Sequence, residues 1–145
     1  MQLSKNFTLE ELTHTDIELP NFPNNKQRSH IQDLCTSLLQ PIRDKFGRIH
    51  ITSGFRSKAV NKAVGGKYYS QHTKGEAADI VPLNAKIDKV MAWIVDESGL
   101  QFGQCILETV GSGINKKQWI HISLPRIGIN LMALRYDGKE YKPYG

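Results

Sequence analysis

The feature that most constrains this chain is an acid in the middle of an apolar run. Ala77-Ala78-Asp79-Ile80-Val81 has the length and β-branched character of a buried strand. A carboxylate at its centre costs on the order of several kcal/mol unless it is paired or bound to a cation. The fold must therefore bring a partner to Asp79. His72 lies seven residues upstream, across a glycine-containing turn, so the chain can fold back and present an imidazole beside the carboxylate. His121 is a further candidate, because Trp119, His121 and Ser123 share one face of an extended Trp119-Ile120-His121-Ile122-Ser123 segment. Two imidazoles, one carboxylate and an open fourth position describe a catalytic zinc site better than a structural one, which is closed and cysteine-rich.

The rest of the pattern supplies a frame for these residues. Thr8 followed by Glu11 reads as a capping box that opens a short helix, and Pro20 to Asn25 reads as a loop. Ile31, Leu34, Leu38, Leu39, Ile42 and Phe46 recur at three and four residues and predict a helix from His30 to Phe46, ended by Gly47 and kinked or broken near Gln40 by Pro41. Residues 48–52 alternate as a strand, 58–64 form a second short helix, and Gly65-Gly66 opens a loop that runs to His72. A further helix spans about Asn84 to Ser98. Strands at 104–110 and 118–124 form a hairpin, and 131–136 adds an edge strand. Helices and strands mix without regular alternation, so an α+β domain with a small antiparallel sheet and flanking helices is expected, one domain over residues 1–145.

Composition narrows the function classes. No apolar run reaches the ~18 residues of a membrane-spanning helix, and the first residues lack the apolar core of a secretory signal. A product made in the cytoplasm, without membrane attachment, is the expectation. Cys35 and Cys105 sit in apolar-patterned segments and read as buried reduced thiols. The net charge of +5 would attract an anionic polymer. The basic residues are scattered rather than gathered with aromatics, which favours solubility over a nucleic-acid partner.

Ser70-Gln71-His72-Thr73-Lys74-Gly75-Glu76-Ala77-Ala78-Asp79 matches the SxHxxGxAxD signature of zinc D-alanyl-D-alanine carboxypeptidases, a family that includes L-alanyl-D-glutamate endopeptidases. Ser53-Gly54-Phe55-Arg56-Ser57 resembles that family's arginine-bearing segment, and Trp119 to Ser123 the strand carrying its last ligand. The opening Phe7-Thr8-Leu9-Glu10-Glu11-Leu12 is similar to short phage and prophage members. The resemblance spans about Phe7 to Ser123. It implies the family's α+β fold and one zinc ion on His72, Asp79 and His121, where zinc lowers the pKa of water and polarises a carbonyl. It also implies a monomer acting on the peptide part of bacterial peptidoglycan, as an endolysin released at lysis or a virion component. Arg56 would stabilise an oxyanion or grip a carboxylate. Ser70, Gln118 and Trp119 would support the ligands or touch substrate.

One position departs from the family. Where many members carry a carboxylate three residues before the last histidine, this chain has Gln118, and an amide cannot take a proton from water. Glu108, ending the run Cys105-Ile106-Leu107-Glu108 on a strand that pairs with the His121 strand, is the substitute base. Gln118 also keeps open a second reading, a zinc-containing wall-binding or virion module without hydrolysis.

Overall fold

The computed structural model describes residues 1–145. The N-terminal strands β1 (Gln2–Ser4) and β2 (Phe7–Thr8) pair as a small antiparallel ribbon that the sequence pattern did not announce. Helix α1 (Leu9–Thr13) starts at Thr8 through the expected reciprocal box with Glu11. Helix α2 (Asn25–Leu34) begins earlier than His30, inside the expected loop. Asn24 caps it, with Gln27 reaching back in a second capping box.

Pro41 does not break the rod. A π-helical turn, Cys35–Leu39, precedes α3 (Gln40–Phe46), and the Gln40 N–H donates to the Cys35 carbonyl five residues back. Pro41 then lies in the first turn of α3, where a missing N–H costs little. The apolar face of this rod is buried as its spacing requires, with Ile31, Leu34, Leu38, Leu39 and Ile42 in the core.

The main sheet runs β3 (Ile49–Ser53), β4 (Ala77–Pro82), β6 (Lys117–Ser123), β5 (Gln104–Val110), β7 (Met132–Tyr136) and β8 (Tyr141–Pro143) in spatial order. It corrects the expectation of a purely antiparallel sheet. β5 and β7 pair in parallel, so the fold is α+β with a mixed six-stranded sheet. The chain passes from β6 through residues 124–131 to the far side of β5, which sets β7 in the same direction as β5 and leaves β8 as the edge.

Alternation sorts the sheet into two faces. Ala78 and Ile80 of β4, Ile120 and Ile122 of β6, and Cys105 and Leu107 of β5 enter one core of 22 buried residues with the α2–α3 rod and with Val90, Met91 and Ile94 of α5 (Ile87–Asp96). Cys35 and Cys105 are free buried thiols, and burial pushes both up to about 12. Asp79, His121, Ile106 and Glu108 take the opposite face. Helix α4 (Lys58–Ala63) and the 3₁₀ turn Gln71–Lys74 flank that face at the β4 side. No helix is long and apolar enough to cross a membrane.

Candidate metal centre

Asp79 and His121 are direct cross-strand partners on β4 and β6. Their side chains meet, with His121 Nδ1 3.0 Å from Asp79 Oδ1. His72 arrives from outside the sheet on the 3₁₀ turn, and its Nε2 lies 3.3 Å from the same oxygen. Ligand atoms of the three residues all fall within 4.8 Å of one another.

The turn that delivers His72 is built by its neighbours. Ser70 Oγ accepts the His72 N–H, and the Ser70 carbonyl accepts the Thr73 hydroxyl at 2.6 Å. Gly75 closes the turn at φ +76, and a Cβ there would stand 2.5 Å from the Gln27 carbonyl oxygen. The His72 ring is oriented from behind by Gly54, whose carbonyl lies 2.8 Å from Nδ1. A carbonyl only accepts, so Nδ1 carries the proton and Nε2 of the neutral ring presents a lone pair to the site. Gly54 can stand there because it lacks a side chain; a Cβ would lie 2.3 Å from the Leu12 carbonyl oxygen.

Electrostatics favour a cation at this point. Burial disfavours the His72 imidazolium and lowers its pKa, against the pull of Asp79. Burial alone would raise the Asp79 carboxyl, but the two imidazoles beside it, His72 and His121, by attraction and hydrogen bonding when protonated toward it, outweigh burial and hold the acid well below the usual carboxylate range. The donor set is thus one carboxylate and two imidazoles, which suits zinc.

Arg56 lies at the same carboxylate, Nη2 3.6 Å from Asp79 Oδ2. Its guanidinium is braced by Ser53 Oγ at Nε and by Asn61 Oδ1 at Nη1. The Arg56 N–H also donates to the His72 carbonyl, which ties the arginine segment to the ligand turn. Asn61, buried on α4, in turn donates to the Lys67 carbonyl.

Glu108 and Trp119 are cross-strand partners on β5 and β6, and the indole N–H donates to Glu108 Oε2 at 2.9 Å. Burial and then the Asp79 charge raise the Glu108 pKa, opposed by His121, the indole and Arg56. Both residues border a cleft of about 760 Å³ that also holds Arg56, Ser70, His72, Asp79 and His121.

Gln118 is not brought to this cleft. It is one residue out of phase with Trp119 and His121, so it projects from the other face of β6, where its amide donates to Thr109 Oγ1. The cleft also contains residues that sequence reasoning missed: Lys67, Tyr69, Gln104, Ile106, Ile129, Leu134, Tyr136 and Tyr141. The parity of Glu108 on its strand could have pointed to Gln104 and Ile106. Nothing local marks Leu134, Tyr136 or Tyr141, because the pairing of β7 with β5 and of β8 with β7 puts them there.

The family profile described as Peptidase M15 matches residues 5–123. No curated protein matches the chain.

Proposed function

The chain belongs to the Peptidase M15 family, and from that premise we propose that it is a zinc metallopeptidase hydrolysing an amide bond in the peptide moiety of bacterial peptidoglycan. The observation that carries this reading is the His72–Asp79–His121 cluster on a cleft shared with Glu108 and Arg56. His72, Asp79 and His121 would hold one zinc ion, which supplies Lewis-acid activation of water and of the scissile carbonyl.

The chain's own groups do the rest. Glu108 is the general base; it takes a proton from the attacking water and returns it to the departing amine. Burial and the Asp79 charge raise its pKa, the direction a general base needs, and the Trp119 indole anchors Oε2 while Oε1 takes the proton. Arg56, braced through Nε and Nη1, offers its Nη2 edge to the oxyanion or to a substrate carboxylate. Ser70 positions the His72 turn and takes no covalent part. Gln118, facing away from the cleft, leaves the acid–base work to Glu108.

In this reading the protein acts as a monomer on wall peptide, without nucleic acid or membrane as partner, in the manner of a phage or prophage endolysin or virion enzyme. The test is release of new amino groups from purified peptidoglycan by zinc-loaded protein, abolished by a chelator and restored by zinc. Binding to peptidoglycan without amine release, unchanged in Glu108→Ala, would overturn hydrolysis in favour of a wall-binding module.

A further inference from the structure

The cleft does not end at the residues that carry the chemistry. Across the sheet, β6, β5, β7 and β8 place Trp119, Glu108, Tyr136 and Tyr141 in one cross-strand row, each directly opposite the next. A second row sets His121, Ile106 and Leu134 side by side. Both rows lie on the site face and border the same cleft. The Tyr136 and Tyr141 rings pack against each other with centroids 4.5 Å apart and planes tilted by 34°. Tyr141 nevertheless remains 51% exposed, and Tyr69, which borders the cleft from the loop before the 3₁₀ turn, is 59% exposed. These large rings are left open beside the catalytic groups rather than buried in the core.

Their place in the chain matters as much. β7 and β8 lie wholly beyond residues 5–123, the portion shared with the family. The shared portion contains all three ligands, Arg56 and Glu108. On the cleft side β7 and β8 add Leu134, Tyr136 and Tyr141 and no carboxylate, imidazole or amine, while Arg135 and Lys142, paired with each other across the two strands, are not among the cleft residues.

We propose that β7 and β8 form a specificity wall on which Tyr136 and Tyr141 seat the aliphatic part of the substrate peptide, two to three residues from the bond that is cut. The proposal rests on the peptidase reading above. The distance follows from sheet geometry. Tyr141 is two strands from Glu108, about 10 Å, and an extended peptide covers that span in roughly three residues at about 3.3 Å each. The occupant is peptide because the rows continue without a break from the groups around the reacting amide, and uncharged ring faces favour methyl and methylene groups. Burial, and after it the Glu108 charge, raises the Tyr141 phenol, consistent with Glu108 and Tyr141 belonging to one site.

The test compares two substrates on the zinc-loaded full chain, a wall-stem tetrapeptide and a blocked dipeptide containing the same scissile bond. Tyr141→Ala should raise KM for the tetrapeptide by about tenfold, with kcat within about twofold, and leave the dipeptide unchanged. Tyr141→Phe, which keeps the ring, should behave as wild type. Zinc content and thermal midpoint serve as controls for folding. Equal effects on both substrates, or none on either, would overturn the wall while leaving the peptidase reading intact. Equilibrium binding separates the converse case. A wild-type protein that binds the tetrapeptide through Tyr141 but cuts neither substrate upholds the wall and overturns catalysis. One that binds neither overturns both.

Discussion

His72 Nε2 and Asp79 Oδ1 face each other at 3.3 Å as two acceptors. The Gly54 carbonyl holds the proton of the His72 ring on Nδ1, so no hydrogen is left to bridge the pair unless the imidazole charges, and burial opposes that. A divalent cation held by His72 and Asp79 would resolve the conflict by accepting both lone pairs.

Zinc should therefore bind at about one equivalent per chain. Its presence at about a hundredfold excess over Kd should raise the thermal midpoint by about 5–10 °C. Asp79→Asn, which removes the anionic ligand at nearly constant volume, should lower zinc affinity by at least about 100-fold. Metal analysis after dialysis and a thermal melt read both. Stoichiometric zinc in a His72→Ala, His121→Ala double variant would show that the metal sits elsewhere.

Glu108→Gln should lower kcat by about 10²–10⁴-fold and leave zinc content unchanged, because Glu108 is not a ligand. Gln118→Ala should stay within about twofold of wild type, since that amide faces Thr109 on the other side of the sheet. Steady-state kinetics on one peptide substrate distinguish the two. The reverse ranking would reinstate position 118 as the acid–base site.

Arg56→Lys keeps the charge and loses the fork that Ser53 and Asn61 brace. It should lower kcat/KM by about 10–100-fold while zinc remains bound. Asn61→Ala, which releases one arm of that fork, should fall in the same direction by a smaller factor. An unaltered Arg56→Lys enzyme would mean that charge alone suffices.

The metal-free protein should lose stability in acid from a defined side. His72 has a folded pKa below its unfolded value, so its contribution is fully present above the ordinary histidine range, about 6.5, and is lost as pH falls through the folded value. Asp79 is depressed as well, and its contribution persists above the usual carboxylate range and fades only at lower pH. Thermal midpoints of chelated wild type should thus begin to drop near pH 6.5. In His72→Gln that first drop should be absent.

Gly54→Ala places a methyl group where the Leu12 carbonyl already stands, 2.3 Å away. The backbone must shift, at a cost of about 1–3 kcal/mol. The same shift moves the carbonyl that orients His72, so zinc affinity should fall together with the midpoint. A destabilised variant with wild-type zinc affinity would show that the Gly54 carbonyl does not set the ring.

Much of this could be read along the chain. The helix faces followed from spacing, because burying a stripe at intervals of three and four residues is a local property of one segment. The strand bearing Asp79 followed from a short apolar run, and those bearing Glu108 and His121 from strand-like patterning, for the same reason. Pro41 misled because its effect depends on the turn before it, where the π-helical stretch absorbs the missing donor.

What the sequence by itself determined was the set of groups: an acid in an apolar strand that needs a paired partner or a cation, two histidines able to approach it, and a glutamate at 108 with an amide at 118. Tertiary structure decided which of them meet. Strand pairing turned residues 42 apart into the Asp79–His121 contact, and strand phase turned Gln118 away from the cleft that Glu108 enters. The parallel placement of β7 carried Leu134 and Tyr136 into that cleft, and the antiparallel pairing of β8 with β7 carried Tyr141. Register between distant strands depends on the packing of a whole face, so no local pattern encodes it.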